Sequence, residues 1–261
     1  MPVLKELQED ILNAIGLEAM EVSPWSRSAS NVVALLQGPD GEAFFAKIFA
    51  FDAADGMTAD ERYRREKTIL AAMAGQGAPQ MVFHADVERV IVTRGVVGHG
   101  VKHFIDNGTG LIALASIAQW LARFHNRFDG CSTSDQTILQ HLEQYRPFTS
   151  LQGFDDLSGA MKAIPLDDLV MSRGDGSASN FRFTEERVVG LDFEGAAYRA
   201  KEVDMISIAQ DFHVLTDETP QSIAECVVAH YALVRPIANV EATVEFIAGF
   251  LSLLNAAQEA A

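Results

Sequence analysis

Apolar positions along the chain follow two spacings, and the change from one to the other divides it. Residues 3–16 place Val3, Leu4, Leu7, Ile11, Leu12 and Ile15 at helical spacing, with Lys5, Glu9 and Asp10 mostly opposite, which predicts an amphipathic helix. The stretch "NVVALLQGPDGEAFFAKIF", residues 31–49, carries two strand-like runs around "GPDG", a strong turn signal, and predicts a β-hairpin. From Thr58 to about Gly75 a long helical body follows a Thr cap with Glu61 three residues on and closes at a glycine. "MVFHAD" and "RVIVTR" add two short strands before the glycine-bearing "GVVGHG" at 95–100. The first 94 residues therefore predict a small antiparallel sheet with one internal helix.

Beyond that point the spacing turns helical. "LIALASIAQWLARFH", "SDQTILQHLEQY" and "FDDLSGAMKAI" are followed later by "KEVDMISIAQDFHVL", "PQSIAECVVAHYAL" and "VEATVEFIAGFLSLLNAAQ". The segment 95–261 is expected to be a mainly helical lobe, which makes the whole an α+β chain in two lobes. Inside it, "LVMSRGDGSASNFRFTEERVVGLDFEG", 169–195, holds two strand-like runs that each deliver a carboxylate into a turn. Neither an internal repeat nor a low-complexity linker appears.

Composition narrows the classes. The 261 residues are 48% hydrophobic and 21% charged, with a formal net charge of −16. That balance argues against nucleic acid, whose binding needs clustered Lys and Arg. It slightly favours a cationic substrate, although most of the acids are expected to be solvated surface. No apolar run of membrane-spanning length occurs and the N-terminal residues lack a signal-peptide pattern, so no membrane partner and a cytoplasmic location are expected. Cys131 and Cys226 stand far apart with no paired spacing, which suggests buried thiols and neither a disulfide framework nor a zinc site.

The candidate chemistry lies in polar residues at the ends of strands. Lys47 sits on a strand, Glu66 on the next helix, Asp175 and Asn180 in one loop, and Asp192 in a turn farther on. Phosphoryl transfer from a nucleotide needs such parts: a cation on the polyphosphate, hard oxygen ligands for metal ions, and a carboxylate beside the acceptor hydroxyl. Blander readings stand beside this one. Lys47 can be a solvent-facing edge lysine, Glu66 a solvated helix charge with Glu61 as the alternative partner, and Asp175, Asn180 and Asp192 turn formers. Trp25 reads as an exposed aromatic or a packing plug, and the pairs Asp155–Asp156 and Asp167–Asp168 as solvated charges.

In the motifs "FFAKIF", "RREKTIL", "RGDGSASN" and "VVGLDFEGA", taken in order, the chain resembles the aminoglycoside phosphotransferase and choline kinase family, the small-molecule branch of the protein-kinase-like fold. The resemblance implies Lys47 on the nucleotide's phosphates, Glu66 as its ion-pair partner, Asp175 as catalytic base, and Asn180 and Asp192 as magnesium ligands. It further implies Asp204 as an anchor of the catalytic loop and His125 as a packing residue. ATP is the implied donor, with GTP as an alternative, and the acceptor is a small-molecule hydroxyl. The short "FEGAAYRAKEV" between Asp192 and Asp204 leaves no length for a peptide-binding platform. Two positions depart from the pattern. Arg173 replaces the loop histidine, to pair with a carboxylate such as Asp192 or to hold the loop backbone. The segment 23–31, expected as a loop over the phosphates, has no glycine and offers Ser28 and Ser30. These departures are the basis of a rival reading, a catalytically inactive nucleotide-binding sensor. The sequence carries no signal of oligomeric state.

Overall fold

The computed structural model describes residues 2–28, 30–53, 56–73, 75–128, 151–164 and 169–259. The chain forms two compact units, one of Met1–Gly98 with Val189–Gly195, the other of His99–Val188 with Ala196–Ala261. The first unit thus recruits a short segment from far along the chain, tied in where the Gly190 N–H donates to the Gly77 carbonyl at 2.9 Å. The helix expected at 134–145, Cys131 and the Asp167–Asp168 pair lie outside the described residues.

In the first unit, helices α1 (Pro2–Glu6) and α2 (Gln8–Ile15) precede strands β1 (Glu21–Arg27), β2 (Asn31–Gln37) and β3 (Ala43–Phe49). Helix α3 (Ala59–Met73) and strands β4 (Met81–Ala85) and β5 (Val90–Arg94) follow. The five strands form an antiparallel sheet in the order β1-β2-β3-β5-β4. The expected hairpin pairs Asn31 with Phe49 and Gln37 with Ala43. Because side chains alternate across a strand, the sheet has two distinct faces. Ala34, Leu36, Phe44, Ala46, Ile48, Val90 and Val92 form one buried cluster with Leu4 and Ile11 of the N-terminal helices. The alternate β3 positions, Phe45, Lys47 and Phe49, point the other way, and Phe49 meets Tyr63 of α3 edge-on at 5.8 Å. α3 begins with a capping box in which Glu61 accepts from the Thr58 N–H at 2.9 Å and Thr58 Oγ1 accepts from the Glu61 N–H at 3.2 Å.

Strand β1 corrects the expectation of a loop over 23–31. All seven of its residues are exposed, so no apolar alternation marks it, and it sits at the sheet edge with Pro24 at a break in register.

The second unit contains β6 (His99–Gly100), α4 (Val101–Asp106), α5 (Gly110–Arg127), α6 (Leu151–Met161) and β7 (Leu169–Ser172). A 3-10 turn at Ala178–Asn180 leads into β8 (Phe181–Phe183), and β9 (Val188–Gly190) begins the segment that returns to the first unit. Then come β10 (Ala197–Ala200), α7 (Lys201–Leu215), α8 (Pro220–Ala232) and α9 (Val240–Glu259). Short antiparallel pairs, β7 with β10 and β6 with β8, are the sheet elements of this mainly helical body. Its core includes Leu114, Ile117, Trp120, Leu121 and Phe124 of α5, with Val227 and Tyr231 of α8 and Phe246, Ile247 and Leu251 of α9. Cys226 is half-buried and donates to the Leu111 carbonyl, and Asp155 and Asp156 are exposed on α6. No helix among the described residues is long and apolar enough to cross a membrane.

The packing of α2 on the sheet gives the first prediction. Ile11 is fully buried and Asn13 is exposed. Ile11→Ala is expected to cost about 2–4 kcal/mol in denaturant unfolding, and Asn13→Ala less than about 0.5 kcal/mol. Equal effects would contradict the placement of α2.

Candidate active site

Two groups of residues carry the candidate chemistry, one in each unit. The first centres on Lys47. β3 lies between β2 and β5, so Lys47 is paired with Val33 on one side and Ile91 on the other and is no edge lysine. Its side chain is only 14% exposed. The buried face of α3 presents Arg62, Tyr63, Glu66, Ile69, Leu70 and Met73 at helical spacing. Glu66 is thereby brought to Lys47, Oε2 to Nζ 2.7 Å, while Glu61 is spent on the helix cap.

Two further carboxylates reach the same ammonium. Asp192 Oδ1 lies 2.6 Å and Glu194 Oε2 3.0 Å from Lys47 Nζ. Asp192 adopts φ of 61°, a left-handed conformation uncommon outside glycine and concentrated at functional positions. Glu194 is also held by Arg62 Nη1 at 3.2 Å and by Asn31 Nδ2 at 2.5 Å. With every group ionised, this cluster has three carboxylates and two cations. Burial pushes Glu66 up to about 7; Lys47 opposes the rise, and Asp192 and Glu194 reinforce it. Burial alone would lower the Lys47 pKa, but Glu66, Asp192 and Glu194 outweigh it and hold the ammonium above the ordinary lysine value.

The carboxylate oxygens of Glu66, Asp192 and Glu194 lie within 4.8 Å of one another. These hard, anionic oxygens could hold a divalent cation. Ser28 and Ser30 flank the β1–β2 turn, where Ser28 Oγ accepts from the Asn31 N–H at 2.9 Å and the Ser30 N–H at 3.3 Å. Trp25 is 62% exposed and meets Phe45 edge-on at 5.3 Å, so it is not a packing plug.

The second group is the loop after β7. Asp175 is exposed, with Oδ1 accepting from the Ser177 N–H at 2.9 Å and Oδ2 from Asn180 Nδ2 at 3.0 Å. Beneath them, Asp204, Ser207 and Asp211 occupy one face of α7 and fasten the loop backbone. Asp204 accepts from the Arg173 N–H at 2.8 Å and Ser172 Oγ at 2.8 Å. Ser207 Oγ accepts from the Gly176 N–H at 3.0 Å and Asp211 from the Ala178 N–H at 2.5 Å. Two glycines permit this geometry. Gly174 has φ of 79°, and a Cβ on Gly176 would come 2.5 Å from Ser207 Oγ.

Asp204 is wholly buried, and burial alone would raise its pKa. Hydrogen bonds from His125, the Arg173 N–H and Ser172 outweigh burial and hold it below the usual carboxylate value. His125 Nε2 lies 3.0 Å from Asp204 and Nδ1 2.7 Å from Tyr231 Oη, which gives that residue a buried supporting place. Arg173 is buried as well, its guanidinium 4.6 Å from the Phe181 ring centre and 5.6 Å from that of Trp120. The sequence reading missed Asn31, Arg62 and Glu194 in the first group and Ser172, Ser207 and Asp211 in the second. Helical spacing from Glu66 and Asp204 marks Arg62, Ser207 and Asp211, whereas Asn31 and Glu194 join only through long-range folding.

No protein-family model matches the chain, and no curated protein does. Solved structures do. A choline kinase from Cryptosporidium parvum aligns at TM-score 0.64 and 11% identity over 97% of this chain and 87% of its own. A macrolide 2'-phosphotransferase from Brachybacterium faecium aligns at TM-score 0.65 and 14% identity, over 96% and 90%. An amicoumacin kinase in complex with AMP-PNP, Ca2+ and Ami aligns at TM-score 0.62 and 14% identity, over 96% and 84%. At such identities the shared property is the fold: this chain has the protein-kinase-like fold of small-molecule kinases.

The anchoring of the loop by Asp204 predicts a pH dependence. A carboxylate whose folded pKa is depressed adds stability above its unfolded value, near 3.9, and loses it as pH falls through the folded value. Asp204→Asn is therefore expected to lower Tm clearly at pH 7, with the gap to wild type narrowing below about pH 4. A gap that stays constant from pH 7 to 3 would contradict an ionised Asp204.

Proposed function

We propose that the chain is a small-molecule kinase of the aminoglycoside phosphotransferase and choline kinase family. In this reading it transfers the γ-phosphoryl group of magnesium-bound ATP to a hydroxyl of a small acceptor. The observation that carries the proposal is the Lys47 ammonium gripped by Glu66 and Asp192, on a fold shared with kinases of small molecules. An amine with a raised pKa stays charged at all physiological pH values and serves as a permanent electrophilic contact for polyphosphate.

Each residue has one task. Lys47 draws the α and β phosphates, and Glu66 keeps its side chain pointed into the cluster. Ser28 and Ser30 offer hydroxyls to phosphate oxygens. Asp192 and Asn180 are the residues that would each offer an oxygen to magnesium, which would supply positive charge to offset that of the transferring group. Asp175 orients the acceptor hydroxyl and takes its proton as the new P–O bond forms. Its exposed carboxylate, turned out by a loop whose backbone is fixed from below, supports that role. Activity with Arg173 in the loop is supported by the bonds that Asp204, Ser207 and Asp211 accept from the N–H groups of Arg173, Gly176 and Ala178.

Acceptor size follows from chain length. Between Asp192 and α7 the chain forms only a turn and the short strand β10, which favours a small acceptor over a peptide. The net charge of −16 favours a cationic one. GTP remains an alternative donor to be tested beside ATP.

Two substitutions test the assignment. Asp175→Asn is expected to keep Mg-ATP affinity within a few-fold while lowering turnover by on the order of 10² or more. Unchanged turnover would remove Asp175 from the chemistry. Asp192→Ala is expected to abolish most of the thermal stabilisation that Mg-ATP gives the wild type, since magnesium is held by few protein ligands. Full stabilisation in that variant would overturn the metal assignment.

A further inference from the structure

Arg62 and Glu194 have no part in the chemistry just described, yet they are built into the same cluster. Arg62 is 2% exposed. Its Nη1 donates to Asn31 Oδ1 at 2.8 Å, and its Nη2 to the carbonyls of Ser30, at 3.4 Å, and Phe51. These partners belong to the β1–β2 turn and to the backbone after β3, so the guanidinium is fixed in place. The Phe49 ring packs beneath both cations, 5.0 Å from Lys47 Nζ and 5.7 Å from Arg62 Cζ.

Three donors converge on one oxygen, Glu194 Oε2: Asn31 Nδ2, Lys47 Nζ and Arg62 Nη1. Asn31 and Arg62 are rigidly held, and Lys47, on its long flexible stem, is the movable member. A polyphosphate that recruits Lys47 must take it from its carboxylates, and Glu194, its side chain only 22% exposed, would lose a favourable charge partner. Arg62, which stays behind, offsets that loss.

We propose that Arg62 is a positioning residue, the resident counter-ion of Glu194 that releases Lys47 to the phosphates of a nucleotide. The inference rests on the nucleotide-binding reading above. It assigns Glu194 the part of a competitor with nucleotide phosphates for Lys47, held in check by Arg62.

The test is the affinity for ATP in EDTA, measured by calorimetry for wild type, Glu194→Gln, Arg62→Met and the double variant, each first checked by thermal melting. Glu194→Gln is expected to bind metal-free ATP about three- to tenfold more tightly, because a competing negative charge is gone. Arg62→Met is expected to bind about tenfold or more weakly, with the double variant returning to within about threefold of wild type. A double variant as weak as Arg62→Met reduces Arg62 to a structural support and overturns the proposal. Where Arg62→Met does not fold, Glu194→Gln decides alone, and unchanged or weaker binding of metal-free ATP overturns it. Arg62→Lys, which keeps the charge, is expected to stay within about threefold of wild type. Wild type that binds no ATP, with or without Mg2+, defeats the nucleotide-binding reading and this inference together. Wild type that binds ATP while Glu194→Gln gains nothing defeats this inference only.

Discussion

One ammonium shared by three carboxylates is the interaction on which the first unit depends. Lys47 lies on a central strand, largely buried, and the cost of charging it there is met by Glu66, Asp192 and Glu194 together. Those partners come from the middle of α3 and from a segment over a hundred residues away, residues 189–195, which belongs to this unit. The arrangement is stable and yet unbalanced. With every group ionised it holds more negative than positive charge, and burial, reinforced by Asp192 and Glu194, pushes Glu66 up to about 7.

The second unit rests on a different device. Asp204 is buried and is held below the usual carboxylate value by the hydrogen bond and charge of His125 and by hydrogen bonds from the Arg173 N–H and Ser172, beside the loop that displays Asp175. Ser207 and Asp211 extend the same attachment along α7. A loop fastened in this way would hold the base proposed at Asp175 in one place, as positioning of an acceptor proton requires. The Arg173 N–H donates to Asp204, and its guanidinium lies over the Phe181 and Trp120 rings.

Much of this was legible in the sequence, and the exceptions share a physical cause. The β2–β3 hairpin, α3 with its capping box and, in the second unit, α5, α6, α7, α8 and α9 follow from apolar spacing and cap residues. Lys47 with Glu66, and Asp204 beneath the Asp175 loop, were read from ordered motifs, and the structure brings each pair of partners together. β1 was missed because an exposed edge strand has no buried face to impose alternation. Glu194 and Asn31 were missed because their meeting is a product of tertiary folding: 163 positions separate them, and no local pattern links an acid after one turn to an amide at the start of a strand.

The account treats these clusters as the working parts of an enzyme and not of a nucleotide sensor. The most direct measurement is transfer of label from ATP carrying a marked γ-phosphorus, with Mg2+ and a panel of hydroxyl-bearing metabolites and amino alcohols. The expected result is label on the hydroxyl of at least one acceptor, or slow release to water where the panel lacks the right one. Tight Mg-ATP binding with neither transfer nor hydrolysis across a broad panel would contradict the account and leave the protein as a sensor.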